Sequence, residues 1–248
     1  MLAGQKAVVT GASKGIGSAI AEALAAEGAH VCLVARTEEA LQETASRYRQ
    51  SGAGGASIHP CDLADGPAAD RLAEDLLAQH GCIDVLVNAS GAYPDSGKID
   101  PLEGDPDAWE TAFSLNVLAP MRLTRSLAPA MADKGRGLVC FIGSVAGIKA
   151  AADEVAYAAS KWRVGCQPHP CCLQSLRSHG IKVCLVEPAH VATDMALHQE
   201  GSRYEKVMPK LMIQLGDLVE AALLPLRMSP QATPAEIILN RQRTPYEA

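Results

Sequence analysis

The sequence predicts a single α/β domain, a doubly wound and mainly parallel sheet flanked by helices. Three observations point to it. Apolar runs of strand length recur along the chain and alternate with longer helical stretches. The first run leads through a glycine-rich turn into an Ala/Leu-rich helix. No Pro/Gly/Ser linker or shift of composition divides the 248 residues, a length that suits one large domain. With 48% apolar residues the chain has enough to fill a sizeable core.

Composition also excludes functions. A net charge of −6, with no Lys/Arg cluster and no interleaved aromatics, argues against a nucleic-acid surface. No apolar run approaches membrane-spanning length, and MLAGQKAVVTG enters the first strand without room for a leader, so the expected location is the cytoplasm. Of eight cysteines, Cys32, Cys61, Cys140 and Cys184 sit in strand-like runs, which suits buried, reduced thiols.

Lys6–Thr10 reads as the first strand, Gly11-Ala-Ser13-Lys14-Gly15-Ile16-Gly17 as the turn, and the stretch to Gly28 as a helix. Strand, glycine turn and helix together form a dinucleotide-binding context. The glycines let the backbone approach a pyrophosphate, and the helix N-terminus offers N–H groups to the anion. His30–Ala35 is the second strand. An acidic residue at its end would hold a ribose 2′-hydroxyl, whereas arginine accommodates a 2′-phosphate. Here Ala35 is followed by Arg36, and Lys14 adds a second cation, so the pattern favours NADP(H) over NAD(H). The competing reading of Arg36 is a local pair with Glu38 or Glu39.

A helix over Thr37–Ser51 follows, then a Gly-rich break, a third strand at Ala56–Pro60, a helix ending near Gly81 and a fourth strand at Ile83–Val87. Ala92–Pro106 is a Pro/Gly/Asp-rich loop placed at the mouth of the site. Trp109–Met131 is a long helical stretch carrying Asn116, and Leu138–Ile142 a buried strand followed closely by Ser144. Tyr157-Ala-Ala-Ser-Lys161 puts a phenol and an ammonium one turn apart on one helix face. A free phenol, with a pKa of about 10, is a poor proton carrier at neutral pH. A nearby ammonium favours the phenolate and brings that pKa toward the working range. Lys182–Val186, Asp217–Leu226 and Glu236–Leu239 are the sixth strand, the final helix and a short last strand.

The glycine turn, with its G-x-x-x-G-x-G spacing, and the Ser144, Tyr157 and Lys161 set together resemble the short-chain dehydrogenase/reductase family from about Lys6 to Met195. The likeness is to its NADP(H)-preferring carbonyl and 3-oxoacyl reductases, with a Rossmann-type fold. It implies that Tyr157 is the proton donor or acceptor for a carbonyl/alcohol pair, that Lys161 lowers its pKa and holds the nicotinamide ribose, and that Ser144 positions the substrate oxygen. It implies a helix irregularity at Asn116 and a water there that links the lysine to solvent. Asp62, with Leu63, falls where the family meets adenine; an aspartate after a strand is also an ordinary helix cap. Asn88-Ala89-Ser90-Gly91 departs from the usual Asn-Asn-Ala-Gly at Ala89; Asn88 is expected to stabilise the sheet, and Ala89 and Ser90 to lie against the adenosine ribose. Pro188-Ala-His-Val191-Ala-Thr193 matches Pro-Gly-x-Val-x-Thr with Ala189 in place of glycine, with the Val191 backbone approaching the nicotinamide amide and Thr193 the amide or the phosphate.

The resemblance further divides the domain into a cofactor half, about 1–135, and a catalytic and substrate-lid half, about 136–248. It implies a homodimer or homotetramer and requires no metal. His190 reads as a capping or solvent-facing histidine, and Met195, Leu197 and Met208 as apolar contacts of a lid over 194–211.

One stretch fits badly. The family carries an uninterrupted helix beyond Lys161, but Pro168 and Pro170 would each cost roughly 3 kcal/mol in a helix interior. Three readings stand: a zinc site of Cys166, His169, Cys171 and Cys172, a kinked helix, or a locally shifted reading frame. Two rivals to the reductase follow from the same residues. One is a nucleotide-binding regulatory or scaffold protein without turnover; the other is a dehydratase or epimerase that retains its nicotinamide.

Overall fold

A computed structural model describes residues 2–50, 54–93, 104–149, 155–162, 168–193 and 211–242, with the main chain alone at 49–50 and 168–170. In chain order the elements are β1 (Lys6–Thr10), α1 (Gly15–Ala26), β2 (His30–Ala35), α2 (Glu38–Gln50), β3 (Ala56–Pro60), α3 (Gly66–His80) and β4 (Val85–Asn88). They continue with α4 (Pro106–Phe113), α5 (Ala119–Lys134), β5 (Gly137–Ile142), α6 (Val155–Lys161), α7 (Pro168–Leu176), β6 (Ile181–Pro188), α8 (Leu215–Arg227) and β7 (Glu236–Leu239). The seven strands form one sheet in the order β3-β2-β1-β4-β5-β6-β7, and every pair is parallel.

Alternation along the strands produces two cores. Ala7, Val9, Val31, Leu33, Val85 and Val87 face α1, α2 and α8. Val8, Cys32, Val34, Leu86, Val139 and Phe141 face α3 and α5. The doubly wound, single-domain fold expected from the sequence is the one observed. The chain winds outward through β1, β2 and β3, then returns to place β4 on the other side of β1. At that switch point the carboxyl ends of β1 and β4 part, which leaves a crevice where ligands bind in sheets of this kind. Thr10 stitches its rim: the hydroxyl accepts from the N–H groups of Ala89 (3.0 Å) and Ser90 (2.9 Å).

The expected long helix over Trp109–Met131 is longer and divided. Between α4 and α5, Ser114–Leu118 forms a π-helical turn that contains Asn116. Beyond Lys161 the described residues resume at Pro168 in a separate helix, and 163–167 lie outside them. Pro168 opens α7, where a missing N–H costs nothing because the first turn has no intrahelical acceptor. Leu173 and Leu176 then pack on the α3/α5 core, together with Cys172, while Cys171 is exposed. Cys166 and the side chain of His169 lie outside the described residues, as do the loop over 94–103, the lid residues Met195, Leu197 and Met208, and the stretch 150–154. The seven described cysteines are free thiols. Among the described residues no helix is long and apolar enough to cross a membrane.

Candidate active site

The crevice at the switch point is a cleft of about 560 Å³. Of the residues expected to bind cofactor, Gly11, Ser13, Lys14, Gly15, Ile16, Gly17, Arg36, Leu63, Ala89 and Thr193 line it. The glycines are there for close approach. A β-carbon on Gly17 would lie 2.4 Å from the Gly11 carbonyl oxygen and 2.9 Å from that of Thr10. Gly11 adopts φ +66°, and its β-carbon would meet the Ala89 carbonyl oxygen at 2.9 Å. No side chain caps the N-terminus of α1, so its first N–H groups face the cleft as a cradle for phosphate. Thr193 closes the loop's far side, its methyl 3.6 Å from where a Gly15 β-carbon would stand. These features fit a dinucleotide pyrophosphate.

At the adenosine end, Ala35, Arg36 and Thr37 line the cleft, and among the described residues no carboxylate does. Glu38 is engaged by Gln42 at 3.1 Å, and among the described residues Arg36 forms no ion pair with Glu38 or Glu39. Asp62 does not line the cleft; its carboxylate accepts from the Ala64 N–H at 3.0 Å in the turn before α3, whose N-cap is Asp65 and not Asp62. Asn88 is buried at the end of β4, and its amide has no hydrogen-bond partner among the described residues. Pro188 ends β6, and Val191 pairs with Ile213 behind the loop. The imidazole of His190 is held below its ordinary pKa by burial and by the Arg241 charge.

The four residues of the expected proton relay come from three elements. Asn116 is buried in the π turn, where its amide Oδ1 accepts from the Ala92 N–H (2.9 Å). Its Nδ2 donates to the Ala92 carbonyl (3.0 Å) and to Ser160 Oγ (2.8 Å). Ser160 Oγ in turn donates to the main-chain carbonyl of Tyr157 at 2.8 Å, so the π turn fixes α6 and the loop after β4 together. Lys161 is buried, and its Nζ donates to the Ile142 carbonyl at the end of β5 (3.1 Å). Gly91 is the meeting point: a β-carbon there would lie 2.9 Å from Asn116 Oδ1 and 3.5 Å from Lys161 Nζ. Ser144 Oγ accepts from the Ala146 N–H (3.1 Å), which leaves the hydroxyl proton for another acceptor.

Sequence reading missed Ser160, Thr10 and Tyr93. The ring of Tyr93 meets that of Tyr157 edge-on, with centroids 4.6 Å apart and planes at 62°, and Tyr93 also lines the cleft. Ser160, between the tyrosine and the lysine, carries a signal only in its burial, which a sequence does not display.

Burial draws the Lys161 ammonium pKa down to about 8. Because the folded value lies below the unfolded 10.5, folding is penalised at pH below about 8, and stability is regained as pH rises from 8 through 10.5. The penalty is on the order of 3 kcal/mol, offset by about 1 kcal/mol for the bond to Ile142. Lys161→Met is therefore expected to raise the denaturation midpoint at pH 7, with the difference from wild type shrinking toward pH 10. A pH-independent difference in chemical denaturation would contradict this.

Comparison with known proteins agrees with the geometry. A family model described as short chain dehydrogenase matches residues 5–202. A fatty acyl-CoA reductase from Acinetobacter baylyi is 39% identical over 158 residues, 64% of this chain; the match spans about half (53%) of that protein. A metagenomic short-chain oxidoreductase solved in complex with NADP is 35% identical, with a TM-score of 0.82 over 98% of this chain and 99% of the other. A 7α-hydroxysteroid dehydrogenase solved with NADH and 7-oxo glycochenodeoxycholic acid is 26% identical, with a TM-score of 0.82 over 97% and 94% of the two chains. On the family match, the fold and the nucleotide cleft together, the chain belongs to the short-chain dehydrogenase family.

Proposed function

We propose that this protein transfers a hydride between NADP(H) and a carbonyl/alcohol substrate, in the carbonyl-reducing direction. The observation that carries this is the convergence of Asn116, Lys161 and the Tyr157 helix on Gly91 at the inner end of the nucleotide cleft. The nicotinamide supplies the hydride. Ser144 and Tyr157 hold the substrate oxygen between two hydroxyl donors, and Tyr157 gives it the proton. Lys161, still largely protonated at neutral pH with a pKa of about 8, stabilises the phenolate left behind and reaches the nicotinamide ribose. Asn116 acts through Ser160 and Ala92 to keep α6 and the loop after β4 in register. Asn88, Pro188 and Val191 support the loops on which the nicotinamide rests, with Asp62 in the turn beside adenine.

Preference for NADP(H) rests on Arg36 and Lys14, which line the cleft where no described carboxylate competes for the ribose. The working direction follows from the reduced state in which cells keep that cofactor. Exposed Phe113, Leu118 and Met121, at 40%, 50% and 46%, run along one helical stretch and favour a homodimer or homotetramer. The cleft mouth, with Tyr93, Leu115 and Thr111, suits an apolar ketone, aldehyde or acyl thioester, acted on in the cytoplasm.

The cofactor assignment is tested by steady-state kinetics of Arg36→Ala. Losing a charge-assisted contact to phosphate raises the KM for NADPH by about 10- to 100-fold and leaves that for NADH nearly unchanged. An equal effect on both cofactors would remove Arg36 from the 2′-phosphate site.

A further inference from the structure

At the end of the sheet opposite the nucleotide cleft, β2 and the last turn of α3 bring three soft or borderline donors together. His30 opens β2, Cys32 lies two residues on along the same face, and His80 ends α3. Their ligand atoms all lie within 4.8 Å of one another. His80 Nε2 is 3.3 Å from Cys32 Sγ, and the two imidazole rings are 5.3 Å apart. We propose that His30, Cys32 and His80 form a structural zinc site with a water or Ser57 in the fourth position.

The geometry is close to what the ion needs. Tetrahedral bonds of about 2.0–2.3 Å to nitrogen and sulfur place neighbouring donors roughly 3.3–3.6 Å apart, so a pair at the 4.8 Å limit must close by about 1.2–1.5 Å, within reach of a side-chain rotation. His30 Nδ1 lies against Gly55, whose β-carbon would stand 2.6 Å from it, which leaves Nε2 as the metal-facing nitrogen. That atom now meets Ser57 Oγ at 3.2 Å, and Ser57 also reaches His59 Nε2 at 2.9 Å. Ser57 therefore keeps a partner when His30 turns to the metal.

The imidazoles are ready donors, whereas the Lys6 charge and the buried thiol set a cost that the metal–ligand bonds must exceed. Burial holds His30, His59 and His80 below the ordinary imidazole pKa, and the Lys6 ammonium adds to the effect on His30 and His80. The rings are thus neutral and have a lone pair to give at neutral pH. Burial holds the Cys32 thiol above its ordinary pKa, with the Ser57 hydrogen bond and the Lys6 charge working the other way, so the ion must displace the thiol proton as it binds. A thiolate with two imidazoles selects Zn²⁺ or Co²⁺ over Mg²⁺ or Ca²⁺. Both histidines are partly exposed, so the ion has an entry path. The site would pin α3 to β2, far from Arg36 at the other end of the same strand.

The test uses the full chain after treatment with a chelator. Co²⁺ titration is expected to give one ion per chain with a sulfur-to-cobalt charge-transfer band and the visible bands of a tetrahedral site, and Zn²⁺ to bleach them and raise the melting temperature. His80→Gln, a partly exposed change that spares the core, is expected to weaken binding by at least about tenfold. Cys32→Ser should remove the sulfur band, while Cys171→Ser/Cys172→Ser and NADPH affinity stay as in wild type. No stoichiometric binding, Co²⁺ affinity unchanged in His80→Gln, or a sulfur band that survives Cys32→Ser or is lost in Cys171→Ser/Cys172→Ser, would overturn the assignment.

Discussion

Replacing Tyr157 with phenylalanine is expected to lower kcat by roughly 10²- to 10⁴-fold, the usual worth of a positioned proton donor. The ring stays, so the edge-on contact with Tyr93 and the hydrogen bond from Ser160 to the main-chain carbonyl at 157 are preserved. NADPH affinity and the denaturation midpoint should therefore match wild type, and only the chemical step should fail. Stopped-flow or steady-state rates with a fluorescence titration of NADPH separate the two. A variant that turns over at the wild-type rate would take the proton away from Tyr157.

Gly17→Ala is expected to be nearly as damaging, for a steric reason. The added methyl would stand 2.4 Å from the Gly11 carbonyl oxygen, 2.7 Å from the Gly11 carbonyl carbon and 2.9 Å from the Thr10 oxygen, all main-chain atoms that cannot rotate aside. The turn must widen, at a cost of about 1–3 kcal/mol by analogy with overpacked cores. The cradle for the pyrophosphate moves with it, so NADPH affinity should fall by more than about tenfold. Gly216→Ala is the control: nothing lies within 4 Å of its would-be β-carbon, and it sits inside α8. There the change should stabilise by up to about 1 kcal/mol. Equal NADPH affinity in Gly17→Ala and wild type would contradict the close-packed loop.

The strands were legible because a sheet covered on both faces needs continuous apolar runs, and KAVVT, HVCLVA and GLVCFI are such runs. The glycine loop was legible because its spacing reports contacts that lie within the loop itself, such as Gly17 on Gly11. The two prolines mark that one helix cannot run on from Lys161, and α6 and α7 are indeed separate elements; that Pro168 opens the second is not legible. A proline at a helix start and a proline in a helix interior look alike until the end of the preceding helix is known. Thr10, Ser160 and Tyr93 escaped notice because their partners, at 79, 44 and 64 positions' remove, meet them only through the parallel crossovers. The His30, Cys32 and His80 cluster was hidden for the same reason: the length of α3 decides where His80 ends.

The central claim is that this chain moves hydride from a nicotinamide to a carbonyl carbon. The direct measurement is turnover with NADPH deuterated at the transferring C4 position, offered with apolar ketones, aldehydes and a 3-oxoacyl thioester, and mass analysis of the product. Deuterium is expected on the carbinol carbon in amounts equal to NADPH consumed, at a rate that falls roughly 10²- to 10⁴-fold in Tyr157→Phe. Folded protein that binds NADPH yet leaves every deuterium on the cofactor would contradict it and make the chain a nucleotide-binding protein without turnover.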